Sequence, residues 1–135
     1  NFMRAQLCGV FASLRLGMDI LTKGESVAID NLNGHGGFFR VEGVGQHIMA
    51  AALNAPVTVM ETAGDGGPWG MAILAAYMAQ KGEGEKLSDY LDKRVFAGSK
   101  RSTYAPNAEE TQGFERYLER YRTLLNAERA ALEIE

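Results

Sequence analysis

Cysteine is nearly missing: Cys8 stands alone among 135 residues, so no internal disulfide can form. A chain that does without disulfides fits a reducing compartment. Long apolar runs are missing too, since none approaches the roughly 20 residues that a membrane-spanning helix needs. The opening Asn1-Phe2-Met3-Arg4-Ala5 lacks a basic flank leading to a small-residue cleavage site, so it does not read as a signal peptide. A cytoplasmic location, with no membrane partner, is the expectation. Positive charge is in short supply, with 14 Lys and Arg against 17 Asp and Glu and a net charge of -3. That balance gives no reason to expect nucleic acid or an anionic membrane surface. Histidine is scarce. His35 and His47, with no cysteine or carboxylate at ligand spacing, do not make a zinc site. An initiator methionine and a leading cap are absent as well, and the chain starts inside a helical pattern, as a piece of something longer would.

What is present suffices for one packed domain: 46% of the residues are hydrophobic and 23% charged, an ordinary globular balance. Phe2 to about Thr22 reads as a helix with few, spaced polar residues. Apolar side chains surround most of it, the mark of a helix held between layers, although the rest of the chain looks too short to cover it. Gly24 is suited to a left-handed cap at its end. Ser26 to Leu32 reads as a strand and about Glu42 to Leu53 as a helix. Asn54 and Pro56 then stop that helix, and Pro56 to Met60 forms a second strand. This strand-helix-strand spacing predicts a parallel pair. Pro68 fits the first position of a third helix carrying Trp69, Met71, Ile73, Leu74 and Tyr77. A short helix from Leu87 to about Val95, with Ser88 near its start, precedes an irregular or edge-strand segment from Phe96 to Pro106. Asn107 caps a long last helix, with Glu110 as capping-box partner and Phe114, Tyr117, Leu118, Tyr121, Leu124 and Leu125 as its apolar stripe. The expected fold is therefore α/β: two parallel strands, with room for a third at the edge, packed with about five helices.

Chemistry points to the carboxyl ends of the two strands. Gly34, Gly36 and Gly37 follow the first strand, and Gly64, Gly66 and Gly67 follow the second. Ligands of open α/β sheets bind along that edge, and glycine lets a ligand lie against bare main chain because no Cβ intervenes. Two such turns on neighbouring parallel strands could flank one nucleotide. A dinucleotide site is disfavoured, because the first turn is not GxGxxG. Other candidates read better as structure. His35 suits a backbone hydrogen bond, His47 packing or solvent, Asp65 the turn between glycines, Cys8 a small core position, and Trp69 packing.

Four stretches, in order, resemble the FGGY family of carbohydrate kinases. Arg4-Ala5-Gln6-Leu7-Cys8-Gly9-Val10-Phe11-Ala12-Ser13-Leu14-Arg15 is similar to that family's Arg-Ala-x-Leu-Glu-Gly-x-Ala-Phe-x-Leu-Arg helix. Gly34 to Gly37 stands where the family has its Gly-Gly-Gly adenosine loop. His47-Ile48-Met49-Ala50-Ala51-Ala52-Leu53-Asn54-Ala55-Pro56-Val57 is similar to Gln-Ile-x-Ala-Asp-x-Leu-Asn-x-Pro-Val, and Glu61 to Ala76 resembles the stretch that follows it. Tyr104-Ala105-Pro106-Asn107 with Tyr117 and Tyr121 resembles the ending of the ribulokinase-like branch, which carries the likeness to about Leu125. Three departures stand out: Cys8 for a glutamate, Ala51 for the helix aspartate, and Phe38-Phe39 for small residues at the loop exit.

The resemblance implies a two-lobed, actin-like ATPase with ribonuclease-H-like domains that moves the γ-phosphate of MgATP to a sugar hydroxyl, in a ribulokinase- or xylulokinase-like enzyme acting on a pentulose. Residues 1–135 would form the C-terminal part of its second domain, the nucleoside side of the ATP site. Gly36, Gly37 and Phe38 would approach adenine and ribose, and Glu42 occupies a place where relatives often have Asn or Ser. The family's general base precedes this stretch, so the chain by itself is expected to be inactive. A homodimer is expected, and a non-catalytic binding or oligomerisation module derived from the same fold is the alternative.

Overall fold

A computed structural model describes residues 2–132. Helix α1 (Phe2–Asp19) runs into a wider turn over Ile20–Gly24, closed by hydrogen bonds from Glu25 N–H to the Ile20 carbonyl (3.1 Å) and from Val27 N–H to the Leu21 carbonyl (3.0 Å). The left-handed residue that ends this helix is Ser26, at φ 56°, and not Gly24, because the widened turn carries the chain past the glycine before it reverses.

Strand β1 is short, Leu32–Gly34, and pairs in parallel with β2, Val57–Met60, in the register Leu32↔Val57, Asn33↔Thr58, Gly34↔Val59. The segment 26–31, expected as strand, has no ladder. The first link is Leu32 N–H to the Pro56 carbonyl at 2.8 Å; upstream of Pro56 the partner chain turns away through Asn54, which is left-handed at φ 51°. The turn glycine Gly34 belongs to the strand instead. Strand β3 (Arg101–Tyr104) lies antiparallel on the other side of β2, giving the order β1-β2-β3. The third strand is thus present and the sheet is mixed, not wholly parallel.

Helix α2 (Val44–Leu53) connects β1 to β2 and starts two residues later than expected, behind Gly43, whose φ of 78° calls for glycine. Its Ala50, Ala51 and Ala52 are buried, and such small side chains let neighbouring helices come close. Buried Gln46 faces the sheet: its side-chain amide donates to the carbonyls of Val57 (3.2 Å) and Ser102 (3.0 Å), and Ser102 Oγ donates to its oxygen (3.2 Å). One side chain thereby ties α2 to β2 and β3.

Helix α3 (Gly66–Gln80) has Pro68 at its third position, where a missing N–H still costs nothing because first-turn amides have no intrahelical partner. Helix α4 (Leu87–Tyr90) continues as a wider turn over Leu91–Val95, and Ser88 lies inside it without a capping bond. Asn107 caps the last helix, α5 (Ala108–Leu132), by accepting the amides of Glu109 (2.9 Å) and Glu110 (3.2 Å). The Glu110 carboxylate does not return to Asn107; it accepts the Tyr104 hydroxyl at 3.2 Å, so the capping box is only half formed.

The core lies where α1, α2 and α5 meet: Phe11, Ala12, Ala52, Phe114 and Leu118, with Phe38, Ile48 and Tyr121 packed around them. Burying Leu118 completely contributes about 2 kcal/mol. Arg15 fastens the same three helices, paired with Asp19 (2.8 Å) and Glu115 (2.7 Å) and donating to the Ala52 carbonyl. Much of α1 stays uncovered, as its apolar circumference against so short a chain implied: Phe2, Val10 and Leu14 are exposed. No helix among the described residues is long and apolar enough to cross a membrane.

Candidate functional site

The two glycine turns come together at the carboxyl ends of β1 and β2. Gly36 N–H donates to the Ala63 carbonyl at 2.7 Å, a bond that joins them directly. Gly36 has φ 104° and ψ 173°, a conformation that only glycine adopts without strain. Phe39 N–H then returns to the Gly36 carbonyl (3.0 Å) and starts the 3-10 turn Gly37–Arg40.

What a side chain would meet at each glycine separates open main chain from closed. At Gly36 and at Gly37 a Cβ would find nothing within 4 Å. At Gly34 it would strike the Phe39 ring at 2.6 Å, so that glycine is there for packing. Across the groove, a Cβ on Gly66 would touch the His35 ring at 3.4 Å, and one on Gly64 would strike the Arg40 side chain at 2.7 Å. Arg40 reaches over Gly64 to pair with Asp65 at 2.6 Å, both side chains largely exposed. Thr62 Oγ1, at the end of β2, is buried without a hydrogen-bond partner.

The four residues expected at the nucleoside divide. Gly36 and Gly37 form the open platform. The Phe38 ring turns into the core, edge-on to Phe11 (centroids 5.2 Å, 83°) and close over Gly45, so only its main chain continues the platform. Glu42 is exposed and lines a different cavity, on the α1 and α5 side of α2. Of the remaining candidates, His47 stacks on Tyr104 (3.5 Å, 17°) and Trp69 packs against Phe96 at 5.7 Å. Cys8 is half-buried against the core; burial pushes its thiol up, outweighing the charge and hydrogen bond of Arg4, so it stays protonated and unreactive near neutral pH. Burial, with Cys8 and Tyr121 nearby, also raises Tyr117. No group of three or more His, Cys, Asp or Glu able to hold a metal occurs among the described residues.

The sequence reading missed Arg40 and the second cavity. A basic residue three places after Gly37 was a visible signal for the first. Nothing in one dimension announces the second, which depends on small residues of three separate helices meeting.

The bare glycine main chain lies at the carboxyl ends of the parallel strands, the edge along which ligands of open α/β sheets bind. Residues 1–79 match the model of the FGGY family of carbohydrate kinases, C-terminal domain. That is more than half of the 135 residues, and the chain belongs to this family. The domain is part of carbohydrate kinases, which take their phosphoryl group from ATP. No curated protein and no solved structure matches the chain. The matched stretch holds both glycine turns and most of α3, whereas α4, β3 and α5 lie beyond it.

Proposed function

We propose that residues 1–135 carry the nucleoside-side half of the ATP site in a ribonuclease-H-like, actin-like sugar kinase. The parent enzyme would transfer the γ-phosphate of MgATP to a hydroxyl of a pentulose or related sugar, in the manner of ribulokinases and xylulokinases, in the cytoplasm. The observation that carries this reading is the open main chain of Gly36 and Gly37, hydrogen-bonded to the second glycine turn through Ala63. A flat purine nucleoside fits against main chain that has no Cβ above it. In this reading Phe38 contributes its backbone, whereas Glu42, two residues past the Gly37–Arg40 turn, lines the cavity on the α1 and α5 side of α2 instead.

Phosphoryl transfer depends on positioning, on neutralising charge and on a residue that orients the attacking hydroxyl. In this reading the Mg²⁺ would come to the site bound to the phosphates of ATP. Asp65, which sits within the second glycine turn, is engaged with Arg40. A chain with this half alone binds nucleotide and does not turn over.

A second reading, a binding or oligomerisation module derived from the same fold, draws on exposed apolar side chains: Val10 is 60% exposed, Met71 74% and Met78 78%. Those faces would also serve a homodimer of the first reading. Calorimetric titration of ADP separates the two. The kinase reading predicts binding that Gly37→Trp weakens about tenfold or more, with no sugar-dependent ATP consumption by the chain alone. A Cβ at Gly37 meets nothing within 4 Å and its backbone is not left-handed, so the variant should fold. Absence of heat together with a tight dimer would favour the module, and clear turnover would refute inactivity.

A further inference from the structure

We propose that the cleft between α1, α2 and α5 is a second binding site, one that takes an organic cation with an apolar or aromatic body. Its volume is about 770 Å³, inside the span of about 300–1,000 Å³ usual for small-molecule sites. The site is distinct from the glycine platform: neither Gly36 nor Gly37 lines it, and α5, which forms one wall, lies outside the family-matched residues.

Small side chains create the space. Ala5 on α1, Ala51 on α2 and Gly113 on α5 all line the cleft where larger residues would close it. Around them Leu7, Ile48 and Phe114 make the floor apolar. The walls are braced, since Tyr117 donates to the Ala5 carbonyl at 3.3 Å and Phe114 is buried.

The charged lining sets the ligand's sign. The lining holds one arginine, Arg4, two glutamates, Glu42 and Glu110, and His47, and Arg4 lies against the Cys8 thiol. Neither glutamate is in an ion pair among the described residues. Glu110 is positioned by the Tyr104 hydroxyl at 3.2 Å, and the Tyr104 ring is itself stacked on His47 at 3.5 Å. A carboxylate held in the lining of a mostly apolar cavity and engaged in no ion pair is complemented by a ligand ammonium. The Phe114 and Tyr117 rings in the same lining also attract a cation through their faces. An anionic ligand would meet two carboxylates against the one arginine, and a neutral one would leave the carboxylates unmatched.

The test uses three probes of one shape on the full chain: 4-phenylbutylammonium, 4-phenylbutanol and 4-phenylbutyrate, followed by amide chemical shifts and calorimetry. The ammonium should bind best, the alcohol more weakly and the carboxylate least, with shifts centred on Cys8, Ile48 and Gly113. Glu110→Gln keeps an acceptor for Tyr104 and should weaken the ammonium about three- to fivefold, while leaving the alcohol unchanged. Gly113→Leu should abolish all three while ADP binding stays as in the parent chain. The new Cβ meets only Arg116, at 3.9 Å, and leucine favours helix, so this variant should melt no lower. The proposal is overturned if the carboxylate binds as well as the ammonium, if no probe binds, or if binding survives Gly113→Leu. It is equally overturned if Gly113→Leu converts a concentration-dependent dimer into a monomer, which would make a second copy the occupant.

Discussion

Three cations converge on the carboxylate of Asp19: Arg15 at 2.8 Å, Lys23 at 3.0 Å and Arg122 at 2.9 Å. Burial is the largest single influence on this group and favours its neutral form. The hydrogen bonds and charges of Arg15 and Lys23 together outweigh it, and the carboxyl is held below its usual range. A carboxylate depressed on folding stabilises the fold at any pH above its unfolded value, about 3.9, and that contribution disappears as pH falls through the lower folded value. Asp19→Asn should therefore cost about 2 kcal/mol at neutral pH. It should also flatten the decline of the urea midpoint below about pH 4. Parallel pH profiles for the two proteins would contradict this. At the same scale, the glycines were only half legible. Their clustering after two strands announced turns, but Gly34 and Gly37 look alike in sequence. What separates them is the Phe39 ring, which lies over Gly34 and leaves Gly37 bare. Ring placement is a tertiary result, decided by Phe38 and Phe39 packing edge-on at 5.4 Å. Phe38 was expected beside adenine and ribose because its neighbour in the core, Phe11, lies 27 residues away in the sequence.

Among the elements, those that carry their own punctuation were legible. The Asn54 stop and Pro56 start around β2, and the Asn107 cap of α5, act through local backbone chemistry and appear as expected. Elements that depend on a partner were not. Residues 26–31 have strand-like composition, yet a ladder needs a neighbour, and β2 offers none before Pro56. Glu110 was assigned to Asn107 by spacing alone, and Tyr104 from β3 takes its carboxylate instead. Helix α3 poses the converse case, being apolar on all sides with no buried residue. Its packing includes Tyr77 on Tyr90 (5.3 Å), Trp69 on Phe96 (5.7 Å) and the Tyr77 hydroxyl on the Glu85 carbonyl (2.6 Å). Helix α2, between the sheet and two helices, is buried along Ala50–Ala52. Local opening follows burial, so amides of α3 from Gly70 to Met78 should exchange with solvent well before those of α2 from Ile48 to Leu53. Equal protection would mean that a second copy covers α3 in solution.

In the molecule as a whole, a three-stranded mixed sheet holds the glycine turns on one edge while α2 carries the α1 and α5 layer behind it. Family membership was legible because the motifs are local and keep their order through the first 79 residues. The cleft behind α2 was not, because it is a property of three helices together. The arrangement gives the chain two separate faces, a bare-backbone platform and an apolar, acid-rimmed cavity. The claim on which the functional account rests is that the platform receives a nucleoside. The most direct measurement is to follow backbone amide resonances of the chain while ADP is added. The account predicts shifts concentrated at Gly36, Gly37 and the Gly64–Gly66 turn, leaving Gly113 and Phe114 undisturbed. Shifts confined to the α1, α2 and α5 cleft, or none at saturating ADP, would contradict it.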